Sequence, residues 1–230
     1  MSVAAPFRLN IFFPSGDPNG VRVLSKDHWV GRAIYFPRAD LGRAQQCSEL
    51  NEQGVYVIGG QGVAEEDTGD DLPKIYVGQS HNLAKRIGDH EQDSNKKFWE
   101  WAIAFSSTNH DLNAAHCDWL EQALIRRARE MNQSHVVNGN QPAEAKMNVA
   151  EKAIIENFFD EILSLFPLVG VQAFEKRKVF RPKSEACIKP TPKEKSNEPL
   201  CDMLIVPAKR DGFERVFVGE NRCWTFHRKT

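Results

Sequence analysis

Apolar residues recur along the chain in two rhythms, alternate positions in some segments and every third or fourth in others, and the changes between them delimit its elements. Residues 7–13 (FRLNIFF) read as a strand, and the following PSGDPNG is dense in turn formers. Residues 21–24 (VRVL) and 33–36 (AIYF) predict two more short strands, giving a small β unit over roughly 5–40. GVYVIGG at 54–60 is a strand ending in glycines, and KIYVG at 74–78 is a second. The acidic loop between them, GVAEEDTGDD, makes the pair a hairpin with a long excursion. Ser80 is placed to cap a helix running to about Gln92, with Leu83 and Ile87 facing inward. Residues 98–106 alternate, putting Trp99, Trp101, Ile103 and Phe105 on one strand face. A helix from about Asn113 to Met131 carries Leu120, Leu124 and Ala128 as one stripe. Another starts after Asn148, with Glu151 at the capping-box position. Its apolar residues, from Ile154 through Phe158 and Ile162 to Phe166, keep the helical repeat until Pro167.

The pattern then breaks. Residues 176–199 hold many lysines and four prolines, the composition of a flexible linker. Apolar character returns over 203–227 (MLIVP, RVFVG, CWTF) as two or three short strands. Some ~30 residues are too few for a core of their own, so this segment reads as a β piece that docks onto another surface or chain, a candidate contact for a protein partner. Four regions follow: an N-terminal β unit at 1–50, a central domain at 51–175, a basic linker at 176–199 and a β segment at 200–230.

With 41% hydrophobic and 27% charged residues, a core and a solvated surface are both available, which excludes disorder throughout. No segment reaches the ~18–20 consecutive apolar residues of a membrane span. The start, MSVAAPFRLN, lacks the pattern of a secretory signal. The five cysteines are far apart and form no C-x-x-C, against a disulfide scaffold or a structural zinc site. A soluble, cytoplasmic protein is expected. The net charge of -1 hides +2 over residues 1–50, -10 over 51–175 and +7 over 176–230. A nucleic-acid surface would therefore lie on the tail or on one segregated face of the middle region.

Within that middle region, Gly54-Val55-Tyr56 and Tyr76-Val77-Gly78 resemble the paired tripeptides of the GIY-YIG nuclease family. Arg86 and His90 follow in the helix after the second tripeptide, four residues apart and so on one side of it. Glu121, inside WLEQALI, resembles the family's metal-binding glutamate. Asn140 in NGNQP is the best match to its asparagine, with Asn138 a close second. The resemblance covers about residues 52–145, and the flanks look like those of a bacterial subgroup. It implies an α+β domain with a small three-stranded antiparallel sheet flanked by helices, between a short N-terminal β unit and the C-terminal β segment. One departure is the twenty-residue separation of Tyr56 and Tyr76, where shorter hairpins are usual.

The resemblance also implies a chemistry that the residue types can support. Phosphodiester hydrolysis needs a deprotonated nucleophile and stabilisation of charge on the phosphoryl oxygens. Glu121 can hold one hard divalent cation, Mg²⁺ or Mn²⁺. Arg86 offers the scissile phosphate a planar, permanently charged fork. Tyr56 is the implied general base or water-orienting group, and Tyr76 and His90 are its partners for relaying a proton. Asn140 orients the attacking water or braces the site. Lys85 beside Arg86, and Lys176, Arg177 and Lys178 in the tail, are further candidate contacts to DNA. The expected activity is metal-dependent DNA cleavage, one strand at a time, in repair, restriction or defence, or a mobile element.

Each residue also has an ordinary reading. The tyrosines suit strand packing against Trp99 and Trp101, Arg86 and His90 a solvated helix face, and Asn140 a turn. Glu121 is harder to dismiss, since it shares a helix face with Cys117 and Ile125. The acidic middle region favours the alternative of a non-catalytic or partner-dependent nucleic-acid-binding or assembly module.

Overall fold

Strand alternation decides which side chains meet the helices. The computed structural model describes residues 6–61, 72–139 and 147–176, and the backbone of strands Phe213–Val218 and Cys223–Arg228. The chain divides into two units, residues 1–179 and 180–230.

In the first unit, β1 (Leu9–Phe12), β2 (Arg22–Lys26) and β3 (Gly31–Pro37) form an antiparallel meander. The short helix α1 (Leu41–Ala44) leads to β4 (Gly54–Gly60) and β5 (Lys74–Ser80), paired antiparallel over their full length. Helix α2 (Leu83–Asp89) precedes β6 (Trp101–Ser107), and α3 (Ala114–Met131) and α4 (Val149–Leu165) follow, with β7 (His135–Val136) between them. The sheet order is β1-β2-β3-β6-β4-β5-β7, antiparallel apart from the β5–β7 pair.

The expected three-stranded sheet is thus corrected to a seven-stranded mixed one within an α+β fold. Strands β5, β4 and β6 form an antiparallel trio, but the outer edge of β6 pairs with β3 from Gly31↔Ser107 to Pro37↔Trp101. An unpaired strand edge leaves backbone donors and acceptors open, and the N-terminal meander closes this one.

The two sheet faces bury different cores. Val55, Val57, Val77, Ile103 and Phe105 pack with Leu120 and Leu124 of α3 and with Ile155 and Ile162 of α4. Tyr56, Ile58, Phe36, Ala102 and Ala104 belong to a second cluster with Ala44, Leu50, Leu83, Ile87 and Trp99. Each large side chain removed from water contributes roughly 1.5–3 kcal/mol. Lys26, buried on β2, donates to Glu161 and to Ser164 Oγ (3.1 Å), tying the meander to α4.

Local differences from the sequence reading have identifiable causes. The N-cap of α2 is Asn82, whose side chain accepts from Lys85 N at 2.8 Å, while the Ser80 hydroxyl donates to the Asn82 carbonyl. Trp99 lies outside β6, in a turn that carries its ring to the face opposite Trp101. Asn113 with His116 and Asn148 with Glu151 form capping boxes on α3 and α4. In the second unit β8 (Phe213–Val218) and β9 (Cys223–Arg228) make an antiparallel hairpin. The expected strand at MLIVP, the whole acidic excursion GVAEEDTGDD and nearly all of the linker lie outside the described residues. Among the described residues, no helix is long and apolar enough to cross a membrane.

Candidate active site

Two glycines let the tyrosines assemble. In the β4–β5 register Tyr56 stands opposite Gly78, and a Cβ at Gly78 would run into the Tyr56 hydroxyl and ring. A Cβ at Gly54 would strike the Phe105 carbonyl of β6. Both tripeptide glycines therefore answer to close approach within the sheet rather than to a turn. The phenol of Tyr56 comes to rest wholly buried, while Tyr76 is half-buried.

Beneath the sheet, Tyr56 Oη and His90 Nε2 are 2.6 Å apart. The rings of Tyr56, Tyr76 and His90 form a triangle with centroids 5.4–6.3 Å apart. Burial lowers the His90 pKa to about 4, helped by the charges of Lys96 and Arg86, so the imidazole is neutral at pH 7. Burial first, and then Tyr76, push the Tyr56 phenol above its usual range, against the opposing pull of Arg86. A neutral phenol with no access to solvent needs a buried acceptor, and on that ground Tyr56 O–H is assigned as donor to Nε2.

Arg86 projects from the exposed side of α2 with its guanidinium beside both phenols, which hold it firmly charged. Its charge also reaches Glu121 on α3. Glu121 sits half-buried between the buried Cys117 and Ile125. Burial raises its pKa to about 7, the nearby Asp118 adds to the rise, and Arg86 offsets part of it. Asp118, one turn earlier, accepts from Gln79 Nε2 at 3.0 Å. Among the described residues, no donor hydrogen-bonds the Glu121 carboxylate, and no three His, Cys, Asp or Glu side chains gather as a metal site. A hard divalent cation, if bound here, would take the Glu121 carboxylate as its protein ligand.

Asn138 is buried at the free edge of β5. Its Oδ1 accepts from Val77 N at 3.0 Å and its Nδ2 donates to the Val77 carbonyl at 2.7 Å. One side chain thereby continues the ladder past the two-residue β7 and braces the second tripeptide. Arg129 in turn donates to the Asn138 carbonyl at 3.0 Å. Asn140 lies outside the described residues, as do Arg177 and Lys178. Lys85 is exposed on α2 next to Arg86, and Lys176 is exposed at the end of its described segment.

No family model, no curated protein and no solved structure matches the chain. The site accordingly stands on its own geometry, which brings Tyr56, Tyr76, Arg86 and His90 together and leaves Glu121 within their electrostatic reach.

Three contributors escaped the sequence reading or were ranked low in it. Asn138 took second place to Asn140, because its pairing with Val77 depends on a sheet edge that no local pattern shows. Asp118 is visible only as a carboxylate three residues before Glu121. Lys96 belongs to an unremarkable DSNKK turn, yet its ammonium lies 4.2 Å from the Tyr76 ring centroid. Arg38 secures that turn, donating twice to Glu91 (3.0 and 3.1 Å) and to the carbonyls of Lys97 and Trp99.

Proposed function

We propose that this protein is a metal-dependent endonuclease of the GIY-YIG type that hydrolyses DNA phosphodiester bonds, nicking one strand at a time. The observation that carries the reading is the convergence of Tyr56, Tyr76, Arg86 and His90 about one buried hydrogen bond, with the half-buried carboxylate of Glu121 within electrostatic reach of Arg86. A packing role for the tyrosines alone would not require a buried, neutral histidine or an arginine turned toward both phenols.

The roles follow from exposure. Arg86, exposed and always charged, receives the scissile phosphate, and Lys85 beside it contacts a neighbouring one. Tyr76 is the more exposed phenol and orients the attacking water. Tyr56, bound to His90, forms the buried half of the proton-handling pair. Glu121 would hold Mg²⁺ or Mn²⁺, which supplies Lewis-acid stabilisation of the charge developing on the phosphoryl oxygens. Asn140 is retained as a candidate for the site, and Lys176, Arg177 and Lys178 as candidate DNA contacts.

Incubation with supercoiled plasmid and Mg²⁺ or Mn²⁺ tests the reading. Open circles that accumulate before linear DNA, only with the cation, are expected. DNA binding with no cleavage under any divalent cation would support the binding module, the reading that the -10 charge of residues 51–175 favours.

A further inference from the structure

Lys96 approaches the ring cluster from a turn to which no role has been given. It closes the 3-10 turn Ser94–Lys96 and keeps only 15% of its side chain exposed. Its ammonium donates to Asp93 Oδ2 at 2.9 Å and lies over the Tyr76 ring. Asp93 Oδ1 also accepts from Asn95 N at 2.9 Å, so a single carboxylate fixes both the turn and the ammonium. The Tyr76 ring in turn meets His90 edge-on at 5.4 Å.

We propose that Lys96 is a positioning residue of this site: its ammonium, held over Tyr76 by Asp93, extends to lower pH the range over which the imidazole of His90 accepts the Tyr56 hydrogen bond. The inference rests on the functional reading above. If His90 were protonated, Nε2 and the Tyr56 hydroxyl would both be donors across 2.6 Å. The phenolic proton would then need another acceptor where no solvent reaches, and a stranded buried donor costs on the order of 1–3 kcal/mol. A bound nucleic acid brings negative charge that favours this protonation. A fixed cation beside the ring pair opposes it.

The groups facing His90 come from each packed element: Tyr56 on β4, Tyr76 on β5, Arg86 and Asp89 on α2, and Asp93 and Lys96 on the turn. Asp89 and Asp93 favour the imidazolium, while Arg86 and Lys96 disfavour it, with Lys96 the stronger of the two cations. Arg86 is the group a phosphate would neutralise. Lys96, already paired with Asp93 and seated on Tyr76, stays in place.

The test is the NMR titration of the His90 ring in the full chain, for the wild type and for Lys96→Met, Lys96→Gln and Lys96→Arg. Methionine keeps the apolar stem, glutamine keeps polarity and arginine keeps the charge, so a packing defect in one variant does not decide the result. Both neutral variants are expected to raise the His90 titration by about 0.5–1 unit, and arginine to leave it near the wild type. Unchanged titration in folded Met and Gln variants overturns the proposal, as does a rise of equal size with arginine. Plasmid nicking is assayed in parallel: an inactive wild type removes the nuclease reading, while the ring titration still decides the role of Lys96.

Discussion

Glu121 and His90 are displaced from their ordinary protonation equilibria in opposite senses, and each displacement has a consequence for stability. The Glu121 pKa rises from 4.5 to about 7 on folding. Its contribution to stability is therefore fully present below about pH 4.5 and is lost as pH rises through 7. Replacing the carboxylate by the neutral amide removes that loss. Glu121→Gln is expected to raise stability by roughly 1–3 kcal/mol at pH 8, after discounting for partial solvent exposure, and to leave it nearly unchanged at pH 4. Thermal unfolding at the two pH values checks this, and an equal change at both contradicts it. His90 runs the other way, from 6.5 to about 4. Its contribution is present above about pH 6.5 and disappears as pH falls through 4. His90→Gln is expected to flatten the decline of stability between those values, at the cost of the Tyr56 hydrogen bond at neutral pH. Denaturant titrations at pH 7, 5.5 and 4 read both effects. Tyr56, Tyr76, Arg86, His90 and Glu121 were legible as candidates because order and spacing are linear properties. Asp118, Lys96 and the Val77 bond of Asn138 were not, since each depends on segments far apart in the chain or on a turn without a pattern.

Among the elements, β4 and β5 carry the tightest constraint. Gly78→Ala sets a methyl group against the Tyr56 phenol in a region with no free volume, an overpacking expected to cost about 1–3 kcal/mol. It should also displace Tyr56 from His90, so a fall in Tm accompanied by a changed His90 ring signal is expected; an unchanged ring signal would show that the backbone absorbs the methyl instead. Asn138→Ala leaves both backbone groups of Val77 without their partners at the end of a short ladder. A loss of about 2–4 kcal/mol is expected, with faster amide exchange at Val77, and slow exchange retained there would contradict the brace. The long elements were readable from their periodicity: α3, α4 and the β4–β5 hairpin stand close to where the apolar pattern puts them. Misreadings fell at boundaries. Ser80 and Asn82 are both competent caps, and tertiary contacts chose Asn82. Trp99 continues the alternation on paper, but the turn held by Arg38 and Glu91 delays the start of β6 to Trp101, two residues later. Strand β7, two residues long, has no period to detect.

At the scale of the molecule, the N-terminal meander is the part whose role the pattern concealed. Its three strands were visible, but their destination was not, because strand partners are chosen by free edges rather than by adjacency in the chain. By filling the outer edge of β6, the meander lengthens the sheet on the side away from β5, and the edge that carries Tyr76 remains at the opposite end. The hairpin Phe213–Val218/Cys223–Arg228 forms in the second unit, as the recovery of apolar alternation after the linker suggests. Charge sets the sharpest demand on the proposed function: residues 51–175 carry -10, and a nuclease built on them would have to segregate Arg86 and Lys85 onto a face that meets a polyanion. The most direct measurement is cleavage of supercoiled plasmid with Mg²⁺ at low salt, comparing the wild type with Glu121→Ala and Arg86→Ala at matched purity. The account predicts cation-dependent nicking by the wild type and a loss of at least about 10²-fold in each variant. Equal nicking by all three proteins, or none by the wild type, would contradict it.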